Sequence, residues 1–219
     1  MVNVRISTDV AEKFPGLQVR ALYVDGVRVD PVDERLESFK VEVYRRIRES
    51  RSPESLRDDP LFRAYRDFFW SLGIDPTKTR PASEALVRRI VQGRDLPRIN
   101  TLVDSYNIAS ALSGIPIAAF DADRLSGEEL RMRFSVPGEG FVGIGMDTPR
   151  ELTGREIVME DGEGPVAIYP YRDADRTKVT DSTRRVILVV CGAPGVPSSA
   201  LDLAEELLRN VIGGYSLTK

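Results

Sequence analysis

The spacing of apolar residues changes twice along the chain. Val2–Ser7 and Gln18–Val24 alternate or concentrate β-branched residues, the pattern of strands. Asp25-Gly26 then reads as a hairpin-type turn, with Val27–Val29 as a return strand. From Pro31 the period lengthens. Leu36, Phe39, Val43 and Ile47 recur at helical spacing and predict a helix to about Glu49. Residues 50–60 read as a polar linker. Leu61–Leu72 reads as a short helix carrying Phe62, Tyr65, Phe68, Phe69 and Trp70, a clustering that favours core over a base-stacking platform. Gly73 closes it, Pro76–Arg80 is a turn, and Pro81 starts another helix to about Gln92. After a loop over Gly93–Arg98, Asn100–Leu112 is helical and is closed by Gly114 and Pro116.

Beyond Pro116 the period shortens to that of strands: Ile117–Asp121, Leu130–Val136, Phe141–Ile144, Glu156–Glu160, Val166–Tyr171 and Arg185–Val190. The last contains the unbroken apolar run Val186–Val190 and is expected to be a buried central strand. A final amphipathic helix runs from Pro197 to about Val211. Helices first, strands second and one closing helix make an α+β fold, not a doubly wound alternation.

Composition narrows the class. With 42% hydrophobic and 30% charged residues, 219 residues suit one globular domain, alone or with an extension. No apolar run approaches the roughly 20 residues needed to span a bilayer. The first residues lack the apolar stretch of a signal peptide, so a cytoplasmic protein without a membrane association is expected. Cys191 is the only cysteine, which excludes an intrachain disulfide and multi-cysteine metal sites. Histidine is absent. A Ser–His–Asp triad, a Cys–His pair and an HExxH zinc site are therefore excluded. Any catalysis falls to carboxylates, hydroxyls, Lys/Arg, backbone dipoles, a carboxylate-bound metal or the substrate itself.

The formal charge of −3 argues against a generally sticky nucleic-acid binder, and no DNA partner is expected. Charge is uneven, however. Between Lys78 and Arg98 six basic residues face two acids, Glu84 and Asp95, whereas Asp121–Glu163 carries eleven acids against five arginines. Lys78, Arg80, Arg88, Arg89 and Arg94 are candidates for contacts to a phosphate backbone; the alternative is an ordinary solvated helix face.

Glycine pairs at Gly138/Gly140 and Gly143/Gly145 lie between strands and match no dinucleotide or phosphate-loop pattern. Asp121 and Asp123 share a face if extended, but further metal ligands are not identifiable, and turn capping explains them as well. Two segments are unusually polar. On a helix starting near Asn100, Asn100, Asp104 and Asn107 form one stripe, either the wall of a pocket or a cap with solvated positions. Tyr169–Thr183 carries Thr177, Thr180 and Thr183 at spacing three among alternating charges, either a solvated loop or a phosphate- or amino-acid-binding loop.

The stretch LPRINTLVDSYNIASALSGIPIAAFDADRLSG, residues 96–127, resembles the B3/B4 domain of the bacterial phenylalanyl-tRNA synthetase β subunit. Asp104, Asn107, Gly114, Pro116, Phe120, Asp121 and Asp123 fit the family pattern without a gap, and Arg133 and Gly138-Glu139 follow at the family's spacing. Pro-Arg-Ile-Asn, Tyr-Arg-Asp and Thr-Lys-Val-Thr look closer still to free-standing B3/B4 proteins. The resemblance covers about residues 70–195. It implies a B3/B4-like domain over 66–219, of the type shared with tRNA-lysidine synthetase, with residues 1–65 as a helical N-terminal extension packed on it.

In the synthetase this domain hydrolyses tyrosine wrongly attached to phenylalanine tRNA. The resemblance therefore implies a trans-editing hydrolase that binds the aminoacylated 3′ end of a tRNA, with no cofactor and no metal. Asn100 and Asn107 would bind the amino-acid moiety. Arg98 and Arg172 would hold the terminal phosphate or ribose, and Thr177 would line the same site. Asp104, Asp173 and Thr180 would orient their neighbours, with water positioned near Ala118, Asp104 and Thr180. No catalytic side chain is assigned, because the family's histidine is Ala118 here. Its tyrosine-reading glutamate falls near Val189–Cys191, where this chain is apolar. That leaves the amino acid open between tyrosine and a smaller or more apolar one. The alternative is a non-catalytic module binding tRNA, an amino acid or a partner protein; a carboxylate-metal enzyme using Asp121 and Asp123 is the third reading.

Overall fold

The computed structural model describes residues 3–127 and 129–217. Strand β1 (Asn3–Ile6) leads through helix α1 (Thr8–Lys13) to β2 (Val19–Asp25). Five helices follow: α2 (Glu34–Ser50), α3 (Pro53–Asp58), α4 (Pro60–Ser71), α5 (Ala82–Val91) and α6 (Thr101–Ser113). Then come β3 (Ile117–Asp121), β4 (Glu129–Phe134), β5 (Gly140–Phe141), β6 (Arg150–Glu151), β7 (Ile157–Asp161), β8 (Gly164–Ile168), β9 (Arg172–Asp173) and β10 (Arg185–Cys191). Helix α7 (Ser198–Tyr215) ends the fold. This is the α+β order that the periodicity predicts.

Two sheets form the frame. One has the order β1-β4-β7-β8-β9, in which only the β1–β4 pair is parallel. The other is β2-β10-β3 and is antiparallel throughout. The apolar run of β10 is its middle strand: Val189 sits between Ala21 and Ala118, and Val186–Val190 are all buried. A shared core of β10, Phe120, Leu130, Met159, Tyr169 and α7 side chains fills the space between the sheets. A second core joins Val43, Tyr44 and Ile47 of α2 to Phe62, Val87, Ile90, Ile108 and Ala111. Helix α6 belongs to both, with Leu102 and Ala109 toward the first and Ile108 and Ala111 toward the second. Its small residues (Ser105, Ala109, Ser110, Ala111, Ser113) let neighbours approach from both sides, so it lacks a single apolar stripe.

Several details depart from the sequence reading, in which the short α1, β6 and β9 do not appear. Gly26 does turn the chain (φ +71°), but Val27–Val29 form no return strand. The Val27 N–H goes to the Arg184 carbonyl and the Arg28 N–H to that of Ser216; the longer apolar β10 takes the place beside β2. Helix α2 starts at Glu34 rather than Pro31, because the Asp33 carboxylate accepts from the N–H groups of Arg35 and Leu36. The linker contains α3, set by a capping box between Ser52 and Ser55 with Pro53 in the first turn, and anchored by buried Leu56. Of Phe141–Ile144 only Phe141 is in a strand; the Ile144 N–H instead reaches the Asp173 carbonyl. Val2 lies outside the described residues.

Candidate functional site

Between the sheets lies a cavity of about 100 Å³. Its floor is the end of β10, Val189 and Cys191, with Ala118 and Phe120 of β3 beside it. Met159 of β7 and Ala167 of β8 form the facing wall. The turn Tyr169-Pro170-Tyr171, which contains a cis peptide bond before Pro170, leads into Arg172 and Asp173 on β9 and frames the mouth. Ala82 lies at the rim, where α5 begins without a side-chain cap.

Two buried tyrosines hold the floor. The Tyr65 hydroxyl donates to the Cys191 carbonyl and the Tyr169 hydroxyl to the Gly192 carbonyl, each at 2.6 Å. Tyr65 comes from the aromatic α4 segment, whose Phe62, Phe68 and Phe69 are buried as expected of core, while Trp70 is exposed. Gly192 is needed where it is: a Cβ there would come 2.3 Å from the Gln18 carbonyl oxygen.

Asp173 is the carboxylate of this pocket. Burial pushes its pKa up to about 7, opposed only by an N–H from the Ala119 backbone. Among the described residues no lysine or arginine pairs with it. Its neighbour Arg172 turns away, donating to the Ile144 carbonyl at 3.3 Å and lying over the Tyr171 ring. Two further groups feel the Asp173 charge. Burial first, then Asp173, pushes the Cys191 thiol up; the same causes, with Asp104, push the Tyr106 hydroxyl of α6 up. Cys191 is thus held as a protonated thiol and is no nucleophile.

Ile168 and Tyr171 also line a second, larger cavity of about 420 Å³. This is an open groove between the α4–α5 connection and the β6–β7 connection, carrying Lys78, Arg150 and Arg155. Two acids line it as well: Asp75 accepts from the Thr77 N–H at 2.9 Å and its hydroxyl at 2.6 Å, and Glu156 accepts from Arg150 at 3.1 Å, the Thr153 N–H at 2.9 Å and the Ser135 hydroxyl at 2.9 Å. Burial raises the Glu156 pKa, but the Thr153 and Glu156 N–H groups and the Ser135 and Thr153 hydroxyls outweigh it and hold the value at about 2. Lys78 is exposed and only 3.9 Å from Asp75, and among the described residues no carboxylate pairs with Arg155. The groove therefore carries three cations against two acids, and the pocket beside it offers mostly apolar walls with Asp173 and Arg172 at its mouth.

The residues singled out from sequence fall into separate groups. Ala118, Arg172 and Asp173 meet in the pocket, and Lys78 lies in the adjoining groove. Asn100 is the N-cap of α6 and accepts from the Val103 N–H at 2.9 Å. Asp104 is buried, bound by Lys40 at 2.7 Å and by the Ile99 N–H at 3.0 Å. Lys40 also holds Glu37, and Glu37 holds Arg98, so Arg98 and Asp104 end one chain of charges. Asn107 is half-buried on α6, outside the lining of the pocket. Thr177 is buried with its hydroxyl unpartnered, and Thr180 shares a hydrogen bond with Ser182 at 2.9 Å. Arg88 and Arg80 surround the buried Glu84 at 2.7 and 3.8 Å, Arg89 donates to the Asp95 carbonyl, and Arg94 is exposed. Asp121 accepts from Thr183 at 2.6 Å, and Asp123 pairs with Arg185. Among the described residues no group of three metal-ligating side chains comes together.

Tyr106, Met159, Arg150, Arg155 and Lys40 were not singled out as site residues by the sequence reading, and Tyr171 entered it only within the polar segment Tyr169–Thr183. Lys40 did leave a trace: Leu36, Lys40, Val43 and Ile47 share one helical stripe, and a lysine in an apolar stripe points to a buried partner. Arg150 and Arg155 left none, since only the folding of β6 against β5 brings them to the groove.

A two-sheet α+β domain with an apolar cleft beside a basic groove is the class these features define. The chain belongs to the B3/4 domain family, whose model matches residues 64–205. Relatives include the phenylalanine–tRNA ligase beta subunit of Gloeobacter violaceus, 35% identical over 122 residues, which are 55% of this chain and 15% of that one. The beta subunit of Psychrobacter arcticus is 36% identical over 89 residues, 41% of this chain and 11% of that one. The chain thus spans a small part of these relatives. Among solved structures, an N-terminal fragment of the phenylalanyl-tRNA synthetase beta-subunit from Pyrococcus horikoshii shares the fold, with a TM-score of 0.52 and 14% identity over 97% of this chain and 48% of that one.

Proposed function

We propose that the protein is a trans-editing deacylase of the cytoplasm that receives the charged 3′ end of a tRNA and hydrolyses a wrongly attached amino acid. The observation that carries this reading is the shared wall of the two cavities. Ile168 and Tyr171 border both, so an aminoacyl group in the pocket leaves its ribose and phosphates over Lys78, Arg150 and Arg155. Water attacks the ester carbonyl, the bond to the ribose oxygen breaks, and that oxygen takes up the proton. With no histidine and a protonated Cys191, the rate enhancement comes from positioning and from fixed dipoles, assisted by the neighbouring ribose hydroxyl. The ester is already activated, so a modest contribution suffices.

The test is deacylation of a panel of correctly and wrongly charged tRNAs. Hydrolysis of a mischarged species is expected, with Lys78→Glu and Arg155→Glu each lowering kcat/KM about tenfold and flattening its salt dependence. Turnover that is indifferent to both substitutions would show that the groove does not carry the nucleic acid. The absence of histidine and the raised pKa of the Cys191 thiol also favour a second reading, a binding module without turnover. Stoichiometric retention of charged tRNA with no hydrolysis across the panel would select it.

A further inference from the structure

We propose that Asp173 is the anchor for the free α-ammonium group of the substrate, and that the floor beyond it selects an apolar side chain over its hydroxylated counterpart. This rests on the aminoacyl-ester reading above and names the substrate class for the same pocket. Three observations support it.

First, half-buried Asp173 lines a largely apolar cavity. Arg172 lines the cavity too but donates to the Ile144 carbonyl, and among the described residues no lysine or arginine forms an ion pair with Asp173. A desolvated carboxylate with no counter-charge is costly, and a bound cation removes that cost. Of the groups on an aminoacyl ester, only the α-ammonium is a cation for every amino acid. Second, the groups of other elements that feel Asp173, Tyr106 from α6 and Cys191 from β10, are a phenol and a thiol, neutral when protonated and never cationic, so neither supplies that charge. Third, the floor has no free hydrogen-bonding side chain. Val189, Ala167 and Met159 have none, the Cys191 thiol is turned back to the Val189 carbonyl at 3.5 Å, and the Tyr169 hydroxyl is spent on Gly192. A substrate hydroxyl brought there loses its water and finds no partner.

The pH behaviour of Asp173 fits this role. Burial pushes the Asp173 carboxyl up to about 7, and an arriving ammonium favours the ionised form.

The experiment compares isosteric esters on one tRNA, phenylalanyl against tyrosyl and valyl against threonyl, each with a free and with an N-acetylated amine. The apolar member of each pair is expected to be hydrolysed between tenfold and about 100-fold faster in kcat/KM. N-Acetylation is expected to reduce wild-type kcat/KM at least tenfold. Asp173→Asn is expected to reduce turnover of the free-amine esters while leaving the acetylated ones unchanged. A merely structural role for Asp173 would lower both alike, and that result overturns the anchor. Equal or faster turnover of the hydroxylated esters overturns the floor assignment. The acetylation comparison uses the unmodified protein, so it stands even if the variant misfolds. If the protein neither hydrolyses nor retains any charged tRNA, the aminoacyl-ester reading falls and this one falls with it. Turnover without an acetylation effect defeats the anchor alone.

Discussion

At the scale of single residues, two ionisable groups, half-buried Asp173 and buried Lys40, divide between function and stability. Asp173 keeps its proton in the folded protein to about pH 7, whereas the unfolded chain releases it near the usual carboxylate value of 3.8. Between those values the native state holds the extra proton, so stability is highest below the window and falls as pH rises through it. Asp173→Asn should flatten this dependence and raise Tm at pH 8 while leaving it nearly unchanged at pH 4.5, as thermal unfolding at the two pH values would show. Lys40 is the opposite case. Burial disfavours its charge, but Asp104 and Glu37 outweigh that and raise its pKa, so its contribution persists through neutral pH and is lost only under strongly alkaline conditions. Lys40→Met leaves Asp104 buried without its cation and is expected to cost about 3–5 kcal/mol in urea unfolding. Replacing Asp104 by leucine in the same chain should recover most of the loss.

At the scale of elements, periodicity located the longer helices and strands, because each buries one face and its pattern is local, and it missed the short α1, α3, β6 and β9. It failed where a hydrogen bond between distant segments decided the outcome. Asp25-Gly26 looks like a hairpin, yet Val27 bonds to Arg184, more than 150 residues away. The polar stripe of α6 shows the same limit for the site. Asn100, Asp104 and Asn107 share a helical face, but Lys40 from α2 claims Asp104 and the helix's own Val103 N–H claims Asn100. Tyr-Arg-Asp was readable as unusual, and Asp173 does reach the pocket, because a two-residue strand against β8 aims it there. The end of β10 depends on side chains equally remote in sequence. Tyr65→Phe strands the Cys191 carbonyl and Tyr169→Phe that of Gly192. Each should cost about 1–3 kcal/mol and speed amide hydrogen exchange at residues 189–193 more than elsewhere.

At the scale of the whole molecule, residues 3–65 are woven into both sheets. β1 lies parallel beside β4, β2 lies along the full length of β10, and α2 contributes to the helical core. Removing residues 1–65 should therefore bare the edges of β4 and β10 and give an aggregating chain; size-exclusion chromatography of the 66–219 fragment checks this, with a monodisperse, cooperatively unfolding fragment as the contrary result.

The place of β10 also bears on how such a pocket can change its preference over evolutionary time. Its floor residues sit on a strand flanked on both sides, Val189 facing Ala21 on one side and Ala118 on the other. Any new side chain there must suit three strands at once, so most variants of the floor are lost to misfolding before selection can act on them. The turn Tyr169–Tyr171 and the short β9 end the other sheet: β9 has a strand partner, β8, on one side and only the loop Val142–Ile144 on the other, held by the Ile144 N–H and a Gly143–Ala174 bridge. Diversification of the amino acid accepted should therefore accumulate at that rim, while the floor drifts slowly among small and medium apolar residues.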